Sequence, residues 1–301
     1  MQSNNDISTE TNPLKGILMC LLGYFFVSLI GICKKSIHSD VSLPFILFSQ
    51  NIVCFALIIW ELRYSKINVL KINDVNTYVI RIVSGLGCYA ALFYVIKFLP
   101  VSEAFLYQYS SSLWVPFIMS IWLGVKMPKN NWFGILIGFL GIIIILQPAT
   151  LSLGLVSIIG IICGILQAVS VIAIRKLSVT EPIQRILFYY FLAGTLISSL
   201  LLIHHSITIQ LIDFPWLLGV GITTYIAQKF LTISLKYAHA TTLAPICYAS
   251  ILFSGVLGWI FWSEVPSNTV LLGMGLVMCG CLLSVLTSRP QPKAREILVP
   301  E

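Results

Sequence analysis

Between Asn130 and Ile174 the chain carries no Asp, Glu, Lys or Arg. A soluble globular chain carries about 25% charged residues, so such a run cannot build a water-facing surface. Crossing about 30 Å of hydrocarbon takes about 20 apolar residues as a helix, whose backbone hydrogen bonds are all internal. The run therefore holds two spanning helices, with Gln147-Pro148-Ala149-Thr150 as the turn between them. The rest of the chain agrees, since 58% of its 301 residues are apolar and 10% are charged. The fold class is an all-α polytopic membrane protein.

Apolar runs and polar breaks predict ten transmembrane helices, at 14–33, 43–61, 77–97, 101–125, 130–147, 154–175, 183–203, 215–236, 241–262 and 267–287. Pro44, Pro100, Pro128, Pro148, Pro182, Pro215 and Pro266 fall near their ends. Only two loops, Arg63–Asn76 and His205–Phe214, are longer than a turn, which leaves no room for a soluble domain. Residues 1–13 open polar and slightly acidic (Asn4, Asn5, Asp6, Glu10), so they read as a disordered cytoplasmic tail and not as a cleaved leader. Residues 289–301 read as a second cytoplasmic tail.

Lys and Arg set the orientation. With the N-terminus inside, the inner segments hold 13 of the 18 basic residues and the outer loops hold three: Lys34, Lys35 and Lys97. The expectation is a multi-pass protein of the cell (inner) membrane with both termini cytoplasmic. The net charge of +7 is spread over span ends and forms no patch for nucleic acid. The eight cysteines lie almost wholly inside apolar segments, with no CxxC or Cys/His spacing. They read as packing residues, and no metal or cofactor is expected.

The halves resemble each other at an offset of about 139 residues: Lys97 with Lys236, Tyr109 with Tyr248, Gly134 with Gly273, Gly141 with Gly280, and Pro128 close to Pro266. Five helices per half is an odd number, so the second half enters from the opposite side. Inverted repeats of this kind are characteristic of secondary transporters.

Three stretches carry a more specific likeness. The first is Phe98-Leu-Pro-Val-Ser-Glu-Ala-Phe-Leu-Tyr-Gln-Tyr-Ser-Ser-Ser, followed by the Gly-rich helix from Gly134 to Pro148. The second is Ala227-Gln-Lys-Phe-Leu-Thr-Ile-Ser-Leu-Lys-Tyr-Ala-His-Ala with Ala244-Pro-Ile-Cys-Tyr-Ala-Ser. The third is Gly258-Trp-Ile-Phe-Trp-Ser-Glu264-Val-Pro. Over about residues 14–287 the chain resembles the drug/metabolite transporter (DMT) superfamily in its EamA-type ten-helix branch. The family usually ends helix four with Gly-Glu; here Gly124-Val125-Lys126 stands there, and only the second half keeps an acid, at Glu264. The resemblance implies two five-helix repeats, 14–148 and 149–288. It also implies a central cavity lined by helices one, three, four, six, eight and nine, with the other four outside.

Ionisable and polar residues inside spans are costly and mark functional candidates. Lys229 lies well inside the eighth span, on one face with Tyr225, Thr232 and Lys236. It reads either as a cavity cation for a substrate carboxylate or phosphate, or as a lysine whose stem snorkels to an interface. Arg81, one turn into helix three, reads as an interfacial anchor or a cytoplasmic gate. Helix four presents Glu103, Tyr107, Ser110 or Ser111, and Trp114 at helical spacing, with Gln108 beside them. Such aromatics wall a cavity or form an interfacial belt, while Glu103 is a solvated end or a gate. Tyr24, Tyr89, Gln167 and Gln228 are further substrate-binding candidates, as is Tyr248, which follows Pro245. Gln50-Asn51 is expected to hydrogen-bond between helices. Glycines 160, 164, 273, 275 and 280 are expected to permit close packing.

No HExxH, GxSxG or phosphate-binding loop occurs, which argues against an enzyme or an ATP-driven pump. The function implied is secondary transport of a small organic metabolite by alternating access. An amino acid, or a carboxylated or nucleoside-like solute such as S-adenosylmethionine, would suit a cation beside aromatics. Drug efflux and flipping of a lipid-linked metabolite are the alternatives. The expected partners are that solute and the lipid bilayer. Proton coupling through Lys229 and the choice between monomer and homodimer are left open.

Overall fold

The computed structural model describes residues 12–38, 41–65, 67, 69, 71–96, 98–99, 101–124, 129–146, 154–203, 210–263 and 267–287. Residues 1–11 of the first tail, all of the second, the turn at 147–150 and Glu264 fall outside the described residues. Ten spans follow one another: Pro13–Lys35, Leu43–Tyr64, Val75–Ile96, a fourth in two pieces (Val101–Tyr109 and Ser111–Leu123), Lys129–Leu146, Leu155–Thr180, Ile183–Leu202, Phe214–Tyr237, a ninth in three pieces (Ala240–Leu243, Ala244–Tyr248 and Ala249–Trp262), and Asn268–Thr287. Among the described residues, six stretches are long and apolar enough to cross a membrane by themselves. The outward faces of the spans are apolar, with Leu18, Val83 and Leu200 of these stretches and Ile121 and Leu286 of others exposed, as lipid requires.

Local signals set the ends. Asn12 accepts a hydrogen bond from the Lys15 amide at 3.1 Å and Pro13 opens the first helix, while Lys34 and Lys35 sit in its last turn. Gly124 closes span 4 in the left-handed conformation, at φ 66°. Span 6 runs to Thr180, five residues past the predicted end, because Arg175 has work to do inside the protein. Its buried guanidinium donates to the carbonyls of Leu235 and of Lys236, the latter at 2.9 Å. Those carbonyls end span 8 and have no partner within the helix.

The spans pack as a pseudo-twofold demands. Span 1 lies along span 8 and span 3 along span 6; spans 5 and 10 pair with each other, as do spans 2 and 7. Shifting every span number by five turns the first pair into the second and maps each of the last two onto itself. The sequence repeat thus becomes a set of reciprocal contacts. Gly141 meets the Gly273 carbonyl, and Gly280 meets the backbone of Gly134 and Gly138. Gly275 faces open space and takes no part in this packing.

Spans 4 and 9 are interrupted at equivalent places. Ser110 breaks the first, beside hydroxyls that bond back to the Tyr107 and Tyr109 carbonyls. Pro245 opens a 3₁₀ stretch in the second. The breaks touch: the Tyr109 hydroxyl lies 2.9 Å from Ser250 Oγ, and the Ser112 and Tyr248 hydroxyls bond each other. Paired interruptions at corresponding positions of two halves are how transporter bundles bring polar backbone to the midplane.

Between spans 8 and 9, His239 lies beside Arg175, and neither of its ring nitrogens has a hydrogen-bond partner. Burial, and then the Arg175 charge, push its pKa from 6.5 down to about 4. A depressed value means the folded protein prefers the neutral ring. This contribution to stability is complete above pH 6.5 and is lost as pH falls through about 4. Thermal melting from pH 7 to pH 4.5 should show a loss on the order of 1–2 kcal/mol that His239→Leu removes; an identical pH slope in that variant would contradict this.

Candidate functional site

The ten candidate residues and the gate candidate Arg81 fall into four places. The first is a cavity between spans 2, 3, 7 and 8, walled by Tyr89, Phe93, Tyr190 and Phe191 and carrying Gln50, Asn51, Thr224 and Gln228. It draws on spans 2 and 7, which the resemblance puts outside. Asn51 packs on Gly194, which keeps the two helices close enough to share it. Gln50 Oε1 and Thr224 Oγ1 are buried here without a hydrogen-bond partner, which in a closed apolar site costs free energy. Of the candidates, Tyr89 and Gln228 belong to this cavity. Gln50 and Asn51 were expected only to tie helices together, and their polar ends are what sequence periodicity could not direct.

Arg81 adjoins the cavity through two of its lining residues, Gln228 and Tyr190. It is 5% exposed. Its Nη1 donates to Ser170 of span 6, its Nη2 reaches Gln228 Oε1 at 3.5 Å, and its guanidinium carbon sits 4.0 Å from the centre of the Tyr190 ring. Its Nε has no partner, and among the described residues no carboxylate pairs with it. A charged side chain at the centre of a spanning helix costs roughly 2.5–3.5 kcal/mol on insertion scales. Arg81 does not snorkel; the aromatic face and two polar side chains hold it inside.

The second place is at the end of the bundle where span 1 begins and span 10 finishes. Lys229 Nζ lies 2.7 Å from Glu61 Oε2. Tyr225 donates its hydroxyl to the same carboxylate, and Gln184 Nε2 reaches its other oxygen at 3.1 Å. Lys229 thus has a counter-ion and lies outside the cavity lining described above. Glu61 is the partner sequence reasoning missed. It sits where span 2 was expected to end, whereas the helix continues to Tyr64. An acid three residues inside an apolar helix end, with a lysine eight residues inside another, was the available signal.

Further links between the halves gather at this end. Asp74 pairs with Lys176 at 2.8 Å, the Asn73 amide donates to Glu181 at 2.9 Å, and Lys15 reaches the Tyr237 hydroxyl at 3.2 Å. Burial raises the Asp74 pKa, but hydrogen bonds from Lys176 and Thr77 outweigh it and bring it to about 2. At the opposite end, among the described residues, His38 and Asp213 make the polar link, at 2.7 Å.

The third place is the contact of the broken helices. Tyr248 is fully buried there, with its ring over Gly138. Tyr24 packs in the same cluster as Tyr248 and bridges to the neighbouring core cluster that holds Trp114. The fourth joins spans 3, 4 and 6. The Tyr107 ring lies on Gly160, and Ser110 fills the notch at Gly164. Gln108 and Gln167 are half-buried. The Glu103 side chain is not among those described.

With this geometry in hand, comparison with known proteins gives a consistent result. The pseudopaline exporter of Pseudomonas aeruginosa is 26% identical over 269 residues, covering 89% of this chain and 94% of that one. The S-adenosylmethionine uptake transporter of Rickettsia prowazekii is 21% identical over 280 residues, covering 92% and 94%. A riboflavin transporter of Vibrio cholerae is 24% identical over 184 residues, covering 60% of each chain. One crystal structure superposes with a TM-score of 0.77 at 18% identity, over 92% of this chain and 97% of that one, which establishes the shared fold. Residues 14–147 and again 154–286 match one family, and on those two matches, with relatives that are transporters over nearly their whole length, this multi-pass membrane protein belongs to the EamA-like transporter family.

Proposed function

We propose that the protein carries a small carboxylated or nucleoside-like metabolite through the cavity between its halves by alternating access, without ATP. One observation carries this reading. Polar links between the halves crowd the end marked by Glu61 and Lys229, while the cavity runs from mid-span towards the other end of spans 2, 3 and 7. A bundle latched on one side of a cavity is one of the two states that alternating access needs, and an inverted repeat supplies the other by symmetry. The relatives named for pseudopaline, S-adenosylmethionine and riboflavin support an organic solute. The charge bias supports a latched end that is cytoplasmic, in the cell (inner) membrane.

In this reading the repeats 14–148 and 149–288 rock about the crossing of spans 4 and 9. Tyr89 and Gln228 meet the solute, with Gln50, Asn51 and Thr224 beside them. Lys229, Tyr225 and Glu61 form the latch. Tyr24, Tyr107, Gln108, Trp114, Gln167 and Tyr248 shape the interior through which the halves move. Melting the purified protein against a metabolite library should find solutes that raise its midpoint. Those solutes should then enter protein-containing vesicles saturably, with no nucleotide present. The reading fails if no stabilising solute crosses faster than into protein-free vesicles.

A further inference from the structure

The polar groups of the cavity are not equally spent. Gln50 Oε1 and Thr224 Oγ1 have no partner, and Arg81, which contacts the lining residues Gln228 and Tyr190, keeps its Nε donor unused. Which donors are free matters. Nη1 is taken by Ser170 and Nη2 makes the 3.5 Å contact to Gln228, whereas Nε is unpartnered. Nε and Nη2 share one edge of the planar guanidinium, and that edge matches the two oxygens of a carboxylate. The 3.5 Å contact is at the limit of a hydrogen bond, so Gln228 is easily displaced. Gln228 also lines the cavity, as do Tyr190 and Tyr89. Rotating one glutamine therefore opens the free edge to whatever fills the space above it.

A structural tether would behave differently. Tying span 3 to span 6 needs only the bond to Ser170, which a neutral donor could make. The charge has no carboxylate near it among the described residues. Lys229 already has Glu61 at 2.7 Å, and buried Arg175 of span 6 spends its guanidinium on the Leu235 and Lys236 carbonyls. We propose that Arg81 is the cavity's anion receptor: its Nε/Nη2 edge takes the carboxylate of the transported solute once Gln228 turns aside, while Tyr190 backs the guanidinium. This rests on the transport reading above, and it moves the solute-binding charge from span 8 to span 3. Phosphate fits less well, because no second cation stands beside Arg81 to share its charge among the described residues.

Benzoate and benzamide test this in the purified full chain, since they share an aromatic ring and differ in the carboxylate charge. Sodium benzoate at millimolar concentration, balanced against sodium chloride, should raise the melting midpoint by several degrees; benzamide should not. Arg81→Gln should abolish the benzoate shift and Arg81→Lys should reduce it. Should Arg81→Gln fail to fold, wild-type protein still decides the matter. Phenylglyoxal adds to arginine, and benzoate should slow adduct formation at Arg81 several-fold while leaving Arg63 unchanged, as read by mass spectrometry. Equal shifts from benzoate and benzamide, a benzoate shift retained in Arg81→Gln, protection by inorganic phosphate in place of benzoate, or no protection at all would each overturn the assignment. None of these touches the transport reading, which stands or falls on vesicle flux of the stabilising solutes.

Discussion

Lys229→Ala should lower the melting midpoint by several degrees and speed hydrogen exchange about tenfold over the last turn of span 2 and the facing turn of span 8. The Glu61 carboxylate is held by three side chains from the other half: Lys229, Tyr225 and Gln184. Exposed ion pairs are worth about 0.2–1 kcal/mol and breaking fully buried ones costs about 3–5 kcal/mol. Glu61 is 23% exposed and Lys229 36%, so this pair belongs between those limits and nearer the lower one. If the contact exists only in the latched state, about 1.4 kcal/mol is enough to change the ratio of the two states tenfold. The double variant Glu61→Gln/Lys229→Met removes both charges and leaves neither one stranded. It should lose less stability than the two single variants added together. Additive losses with unchanged exchange would show that the pair is only a surface ornament.

Gly280→Leu should have the larger effect on folding. Any Cβ at this position would fall on the Gly138 amide and Cα and on the Gly134 carbonyl oxygen of span 5. Those are backbone atoms, so no rotamer change relieves the clash. Spans 5 and 10 must separate, and small residues at such interfaces are what let membrane helices approach closely. Overpacking costs about 1–3 kcal/mol where side chains can yield, and more where they cannot. Gly275→Leu is the matched control, because it lies on the same helix and faces open space. The first variant should lose most folded protein in size-exclusion chromatography, and the second should run as the wild type does. Similar behaviour of the two would mean that the close approach of spans 5 and 10 is not what holds the scaffold.

Much of the scaffold was readable in the chain. Ten apolar runs became ten spans with ends shifted by a few residues. The repeat aligned Gly134 with Gly273 and Gly141 with Gly280, and in space the four meet crosswise, Gly141 with Gly273 and Gly134 with Gly280. Where an end moved most, at Thr180, the cause was tertiary: Arg175 is drawn inward by the carbonyls of another helix. The interruption of span 9 was announced by Pro245, but that of span 4 has no proline at the break.

The candidate site was legible as a set of residues and not as an arrangement. Lys229 and Arg81 look alike in sequence, each a cation within an apolar run. Tertiary structure separates them by their neighbours: Glu61 from span 2 reaches one, and only Ser170, Gln228 and Tyr190 reach the other. Depth along a helix suggested that Arg81 could snorkel, whereas its contacts to Ser170, Gln228 and Tyr190 turn it inward, beside the cavity and away from the membrane surface.

The chain by itself determined residence in the membrane, the number of spans and the twofold relation of the halves. These follow from composition and period along one dimension, because a bilayer demands about 20 apolar residues per crossing whatever lies alongside. Only the tertiary structure decided which charge is paired and which is vacant, and which glycines touch. Those depend on the azimuth at which separate helices meet, and no periodicity within one helix encodes what stands across from it.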